Sequence, residues 1–264
     1  MIKKLAVIAA LLILHSVQVL AQMPTTEATI IVEAEKISSQ EIEASRSAVV
    51  LDEVAIKLKR PSSVADILRD IPGIEVVRQG SIGQTTTVFI RGSKSESTLV
   101  LIDGAVANDI MAPSSGYDFS NLSPNSIARI EVYRGPQSVR FGAGALGGVI
   151  NIVTKEGSGP LGLDYLVEGG TYETYRVALG LNGSSRDFNY SLGTEGFKST
   201  GFSAAGSSSS LEKDAASVAS VSSKLGYKFN STTKVEATLR YADAEVDLDR
   251  GGDASSDDPN YDSE

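Results

Sequence analysis

The sequence predicts an α+β domain followed by antiparallel transmembrane β-barrel strands that form only part of a barrel. Two observations carry this fold class. Between roughly Ser45 and Lys155, short apolar runs closed by turn residues accompany one capped helical segment. From Leu161 onward, apolar and polar residues alternate with period two over five segments of roughly ten residues, the pattern of membrane strands with apolar side chains outward and polar ones inward. An ordinary β-sandwich also has period two. Tyr165, Tyr227, Phe229 and Tyr241 near the strand ends favour the membrane form.

The 264 residues suffice for one or two domains. There is no cysteine, which excludes disulfides and thiolate metal sites. The single histidine, His15, sits in a segment expected to be removed, so Ser-His-Asp catalysis and imidazole ligation drop out. The net charge of −9 argues against nucleic acid as a partner. That charge is concentrated: Asp243 to Glu264 holds nine acids against Arg250, a net −8, which leaves −1 for the rest.

Lys3 and Lys4 precede ten apolar residues, Leu5 to Leu14, and Val19-Leu20-Ala21 supplies a cleavage-like end. The run is too short to span a membrane, and the three-part pattern is that of a secretory signal covering residues 1–21. Residues 22–44 are polar apart from Ile30-Ile31-Val32, a β-prone run suited to pairing as an added strand or to serving as a first strand.

Residues 45–157 form the α+β domain. Ser63 and Asp66 make a capping box for a helix over Ser63–Asp70, with Val64, Ile67 and Leu68 on one face and Pro72-Gly73 at its end. Ile74–Val77, Thr87–Ile90 and Leu99–Ile102 read as strands. Arg78–Thr86 and Ala105–Asn121 are irregular connections, the second long enough to suggest a functional role. Ile130, Val132 and Tyr133 suit a strand, Gly135-Pro136 breaks it, and a brief turn or helix follows through Val139. Val149–Thr154 reads as a buried strand. Gly142, Gly144 and Gly147 satisfy a dinucleotide-binding pattern, but a strand follows where a helix should open, so these glycines are read as serving close backbone packing.

Residues 158–264 carry the alternating strands. If the first strand rises from the periplasm, Gly169–Glu173 and Phe197–Ala216 lie outside, the tight turns Asn182–Ser185 and Asn230–Thr232 lie inside, and the acidic segment after Asp243 is extracellular. Large membrane barrels with a filled lumen have 22 strands and this pattern supplies five, so the chain is expected to be a truncated product or a fragment.

Four segments, in order, resemble the plug domain of TonB-dependent outer-membrane receptors: Asp66–Ile74, Val88–Gly92, Leu99–Gly104 and Arg129–Lys155. The wording is most similar to the vitamin B12 (cobalamin) receptor group. The resemblance implies a monomeric receptor-transporter in the lipid of the bacterial outer membrane. It would bind a scarce small molecule, cobalamin or a ferric siderophore, with no cofactor and no bond chemistry. A TonB-type energy-coupling protein would drive uptake. Thr29, Ile30, Ile31, Val32, Glu33 and Ala34 resemble the TonB box, although Glu33 departs from the usual residue. The outward loops nominate Gln79, Ser81, Gln84, Asn108, Asp109 and Met111 as ligand contacts. Some receptors of the group order outer loops with calcium, and Asp243, Glu245, Asp247 and Asp249, spaced by two, are either a weak calcium site or a solvated acidic loop. Two other classes stay open. A plug with only a few strands could be a non-transporting binding module, and Asp103 with Asp109 could act as an acid–base pair, although Asp103 before Gly104 reads more simply as a turn acid.

Overall fold

The computed structural model describes residues 48–80, 82–109, 116–120, 122–201, 215–230, 232–247 and 262–263. The expected signal sequence and the segment Thr29–Ala34 lie outside the described residues.

The α+β part is built on a five-stranded sheet with the order β1-β6-β7-β4-β5. Its strands are β1 (Ala48–Asp52), β4 (Thr98–Ile102), β5 (Ala105–Val106), β6 (Ile127–Arg134) and β7 (Gly148–Thr154). β4 and β7 run parallel, and the other pairings are antiparallel. This explains why β4 is apolar at every position after Thr98. Val100 and Ile102 face the main core beneath the helices, while Leu99 and Leu101 pack with Tyr133, Ala145 and Val149 on the opposite face. The main core takes Ile67 and Leu68 from α2 (Val64–Arg69) and Ile56 from α1 (Glu53–Lys59). Beside the sheet lies a separate antiparallel pair, β2 (Ile74–Arg78) and β3 (Thr86–Ile90).

The capping box at α2 forms as the spacing predicts: the Ser63 hydroxyl accepts from the Asp66 N–H, and the Asp66 carboxylate accepts from the Ser63 N–H at 3.0 Å. The helix α1 was not anticipated. Its only buried residue is Ile56, while Val54 and Leu58 are exposed, so no apolar stripe announces it. Its signals are at its ends. Asp52 accepts from the Ala55 N–H at 2.8 Å, and Lys57 and Lys59 occupy the last turn.

The glycine-rich turn behaves as a packing device. A short helix α3 (Ser138–Phe141) follows Gly135-Pro136, and the chain then returns to β7. Gly147 donates to the Ser97 carbonyl at 2.8 Å, and a Cβ there would stand 2.2 Å from the Ser93 hydroxyl oxygen. No helix opens after Gly147, so the dinucleotide pattern has no phosphate cradle.

The second part is an antiparallel sheet, in order of sequence: β8 (Gly162–Gly170), β9 (Thr174–Ser185), β10 (Phe188–Ser199), β11 (Ala216–Lys228) and β12 (Lys234–Asp247), with the short β13 (Asp262–Ser263) against the end of β12. Leu163, Tyr165, Val167, Val177, Leu179, Val221, Leu225, Val235 and Leu239 are all exposed on one face. Arg176, Ala178 and Lys224 are buried on the other. This is an apolar band turned outward and a polar face turned toward the α+β domain, as the alternation predicts.

Two expectations about strand ends are corrected. Asn182-Gly183-Ser184-Ser185 is not a turn, because β9 pairs through Ser185 and only Arg186 and Asp187 separate it from β10. Likewise Asp243, Glu245 and Asp247 do not begin a loop. They belong to β12, which pairs with β11 as far as Val246 opposite Ala216. In both places the ladder continues beyond the apolar band, so the polar composition marks the edge of the band and not the end of the strand.

Candidate functional site

The strand ends define two sides. The turns at 186–187 and 229–233 are short, whereas the other end of the sheet carries the long connection 200–215 beside the short turn 171–173; by the loop-length rule for bacterial barrels the end with the long connection is called the outer one. The α+β domain is oriented on this axis by its own exit. After β7, Glu156 accepts from Asn189 at 3.0 Å and pairs with Lys234 at 2.5 Å, both near inner strand ends. β7 and the parallel β4 therefore run from outer to inner, and Thr98 marks the outer end of β4.

The loop between β2 and β3 lies at the outer end. The Gln84 amide donates to the Asp247 carbonyl at 3.3 Å, and Gly83 faces Val246, Val218 and Ala216. Its stem is joined to the second candidate loop: the Thr86 N–H donates to the Asp118 carboxylate at 2.8 Å, and the Phe119 N–H donates to the Thr86 carbonyl at 3.0 Å. The two loops nominated from sequence thus share a hydrogen-bonded stem.

The nominated side chains divide into two groups. Gln79 and Asp109 are exposed. Gln84 is 8% exposed and tied to the end of β12. Asn108 uses both amide atoms on β4, accepting from the Val100 N–H at 2.7 Å and donating to the Thr98 carbonyl at 3.0 Å, so it lengthens the edge that β5 leaves short. Ser81 and Met111 lie outside the described residues, as does Asp249. Asp243, Glu245 and Asp247 alternate along β12, with successive Cα atoms about 7 Å apart. Among the described residues, no three acidic or imidazole groups converge to hold a metal.

Sequence reasoning missed the polar seam that holds this face in place. Arg176, 3% exposed, donates to Glu195 at 2.6 Å, to Glu168 at 3.3 Å and to the Pro61 carbonyl at 2.8 Å. Glu195 accepts in turn from the Ser123 hydroxyl and from Asn125. Pro61 precedes the α2 cap, and that cap is braced by Arg78, which donates to Ser63 at 3.0 Å and Asp66 at 3.3 Å. A chain of contacts therefore joins the root of the outer loop to β9 and β10. Lower down, Asp103 binds Thr154, Lys224 and Arg240. The available signal was the placing of full charges at inward positions of membrane strands, where burial demands partners. A cavity of about 510 Å³ separates the domain from the strands, with Tyr117, Arg176, Glu195, Lys224 and Arg240 among its lining. Burial there pushes the Tyr117 phenol up to about 12, with Arg240 opposing and Asp118 adding to the shift.

Residues 33–149 match the model of the TonB-dependent receptor plug domain. That match identifies residues 33–149 as a TonB-dependent receptor plug. The vitamin B12 transporter BtuB of Vibrio vulnificus strain YJ016 is 37% identical over 134 residues, covering 51% of this chain and 22% of that protein. The BtuB of Photobacterium profundum is 34% identical over 191 residues, covering 71% and 30%. The siderophore receptor PirA of Acinetobacter baumannii superposes with a TM-score of 0.60 at 22% identity, over 83% of this chain and 34% of its own, a likeness of fold. The chain spans less than a third of the length of these curated relatives. The plug followed by antiparallel wall strands is the architecture predicted from sequence.

Proposed function

We propose that this protein is an outer-membrane receptor that takes up cobalamin by energy coupling. The observation that supports the ligand is the similarity of plug and first strands to vitamin B12 transporters in two genera. The exposed chemistry agrees. Gln79 offers amide donors and an acceptor to a ligand whose rim carries amides, whereas Asp109 would repel an anionic ferric siderophore. In this reading Gln79 and Asp109, with Ser81 and Met111, contact the ligand, while Gln84 and Asn108 hold the two loops to β12 and β4. The segment Thr29–Ala34 pairs as an added strand with the periplasmic TonB-type protein, and no bond in the ligand is made or broken.

Equilibrium binding to outer membranes containing the protein tests this reading, with cyanocobalamin and a ferric catecholate siderophore as competing probes. Cyanocobalamin should bind and should not be displaced by the siderophore. Gln79→Ala should weaken it about tenfold, the worth of one good hydrogen bond. Saturable siderophore binding without cobalamin binding would reassign the ligand.

A further inference from the structure

The acid Asp103 has a larger task than turning the chain. Asp103 (φ 50°) and Gly104 (φ 84°) form the tight turn between β4 and β5, which projects the carboxylate to the wall. Its side chain is 7% exposed. One oxygen accepts from the Thr154 N–H at 2.9 Å and from Lys224 at 3.1 Å. The other accepts from the Thr154 hydroxyl at 2.6 Å and lies 3.6 Å from Arg240. Lys224 is on β11 and Arg240 on β12, diagonal to each other across the ladder, where Lys224 faces Thr238 and Arg240 faces Ser222. One plug carboxylate thus binds two neighbouring wall strands, and the Lys224 side chain is only 8% exposed.

The outer loop touches the same two strands. Val218 lies six residues from Lys224, and Val246 six from Arg240, about 20 Å along the strands. There an added Cβ at Gly83 would stand 3.0 Å from Val246 and 3.3 Å from Val218, so the loop backbone lies directly on them. Above the Glu156–Lys234 pair at the inner strand ends, the plug is therefore attached to the β11–β12 pair at two further heights. The lower attachment is a buried carboxylate with two cations and two hydrogen bonds. The upper is a glycine contact and one 3.3 Å amide bond. A buried ion pair is costly to break on one side only, whereas the upper contact is cheap to open.

We infer that Asp103 is the registration point of the plug: a positioning residue that sets the outer loop against the outer ends of β11 and β12 and stays engaged when that loop lifts. The inference depends on plug and wall contacts and holds whichever ligand the loop receives.

Because the chain has no cysteine, single probes are specific. Val246→Cys reports the upper contact, where Val246 is 6% exposed. Ala178→Cys, inward on β9 and 3% exposed, reports detachment of the plug as a whole. Maleimide labelling of both is followed in the full chain in outer membranes, with and without Asp103→Asn. Labelling at residue 246 should rise about tenfold or more with Asp103→Asn, stay near its original rate with Asp103→Glu, and not change at residue 178. Unchanged labelling at both sites overturns the inference, because Asp103 then sets nothing above it. Equal increases at both sites also overturn it, because Asp103 then merely keeps the plug in place or folded. Failure of Asp103→Glu to restore protection would exclude the charge as the cause.

Discussion

Arg176→Met removes the guanidinium that ties the plug to β9 and β10 while keeping much of the side chain's length. Glu195 is left 11% exposed with only Ser123 and Asn125, and the Pro61 carbonyl loses its donor. Removing one partner of a buried ion pair costs roughly 3–5 kcal/mol. The two remaining donors on Glu195 and the partly exposed Glu168 place this case at the low end, about 3 kcal/mol. At about 1.4 kcal/mol per tenfold, local opening should become more frequent by roughly a hundredfold. Hydrogen exchange by mass spectrometry reads this directly. The peptide around the 3₁₀ turn Pro124–Ser126, whose Asn125 N–H donates to Ser123, should exchange faster by that factor. The β7 segment, in the main core, should not change. Exchange around residues 123–126 equal to that of the parent would show that Arg176 carries no attachment, and the seam would have to be redrawn.

Other consequences follow from the same geometry. Ser63→Ala removes the α2 cap and a partner of Arg78, so thermal unfolding of the plug should report a loss of about 1–2 kcal/mol. Leu239→Arg places a cation in the outward apolar band and should cost about 2–4 kcal/mol of membrane insertion, read as lower accumulation in outer membranes, whereas Thr238→Arg on the inward face should accumulate normally. Burial, with the nearby Glu131 charge adding to it, pushes the Tyr133 phenol up to about 12, the level that Tyr117 also reaches. Both are raised above the ordinary value of 10, so their contribution to stability is complete below about pH 10 and is lost as pH rises toward 12. Spectrophotometric titration should show a late phenolate component among the nine tyrosines, reduced in Tyr117→Phe.

Where sequence reasoning succeeded, one local rule settled the outcome. The period-two alternation sorted Tyr165, Leu179 and Leu239 outward and Arg176, Lys224 and Arg240 inward, because a strand has no other way to place them. The Ser63 and Asp66 pair fixed the start of α2 for the same reason. It failed where composition stood in for hydrogen bonding. Asn182–Ser185 looks like a turn and Asp243–Asp247 like a loop, yet both continue their ladders past the apolar band. It also failed where a polar side chain had a distant partner. Asn108 and Gln84 look like free loop amides until β4 and the end of β12 are brought beside them. Asp103 looks like a turn acid, and it is one, but its two cations come from more than a hundred residues away.

Labelled cobalamin followed in cells carrying the protein tests the central claim most directly, with surface binding and uptake measured separately in the parent and in Ile31→Pro. Proline at residue 31 removes a backbone donor from the proposed coupling segment and leaves the outer loops untouched. The account predicts that both forms bind cobalamin equally and that only the parent accumulates it. Accumulation by Ile31→Pro at the parent rate, or no cobalamin bound by the parent, would contradict it.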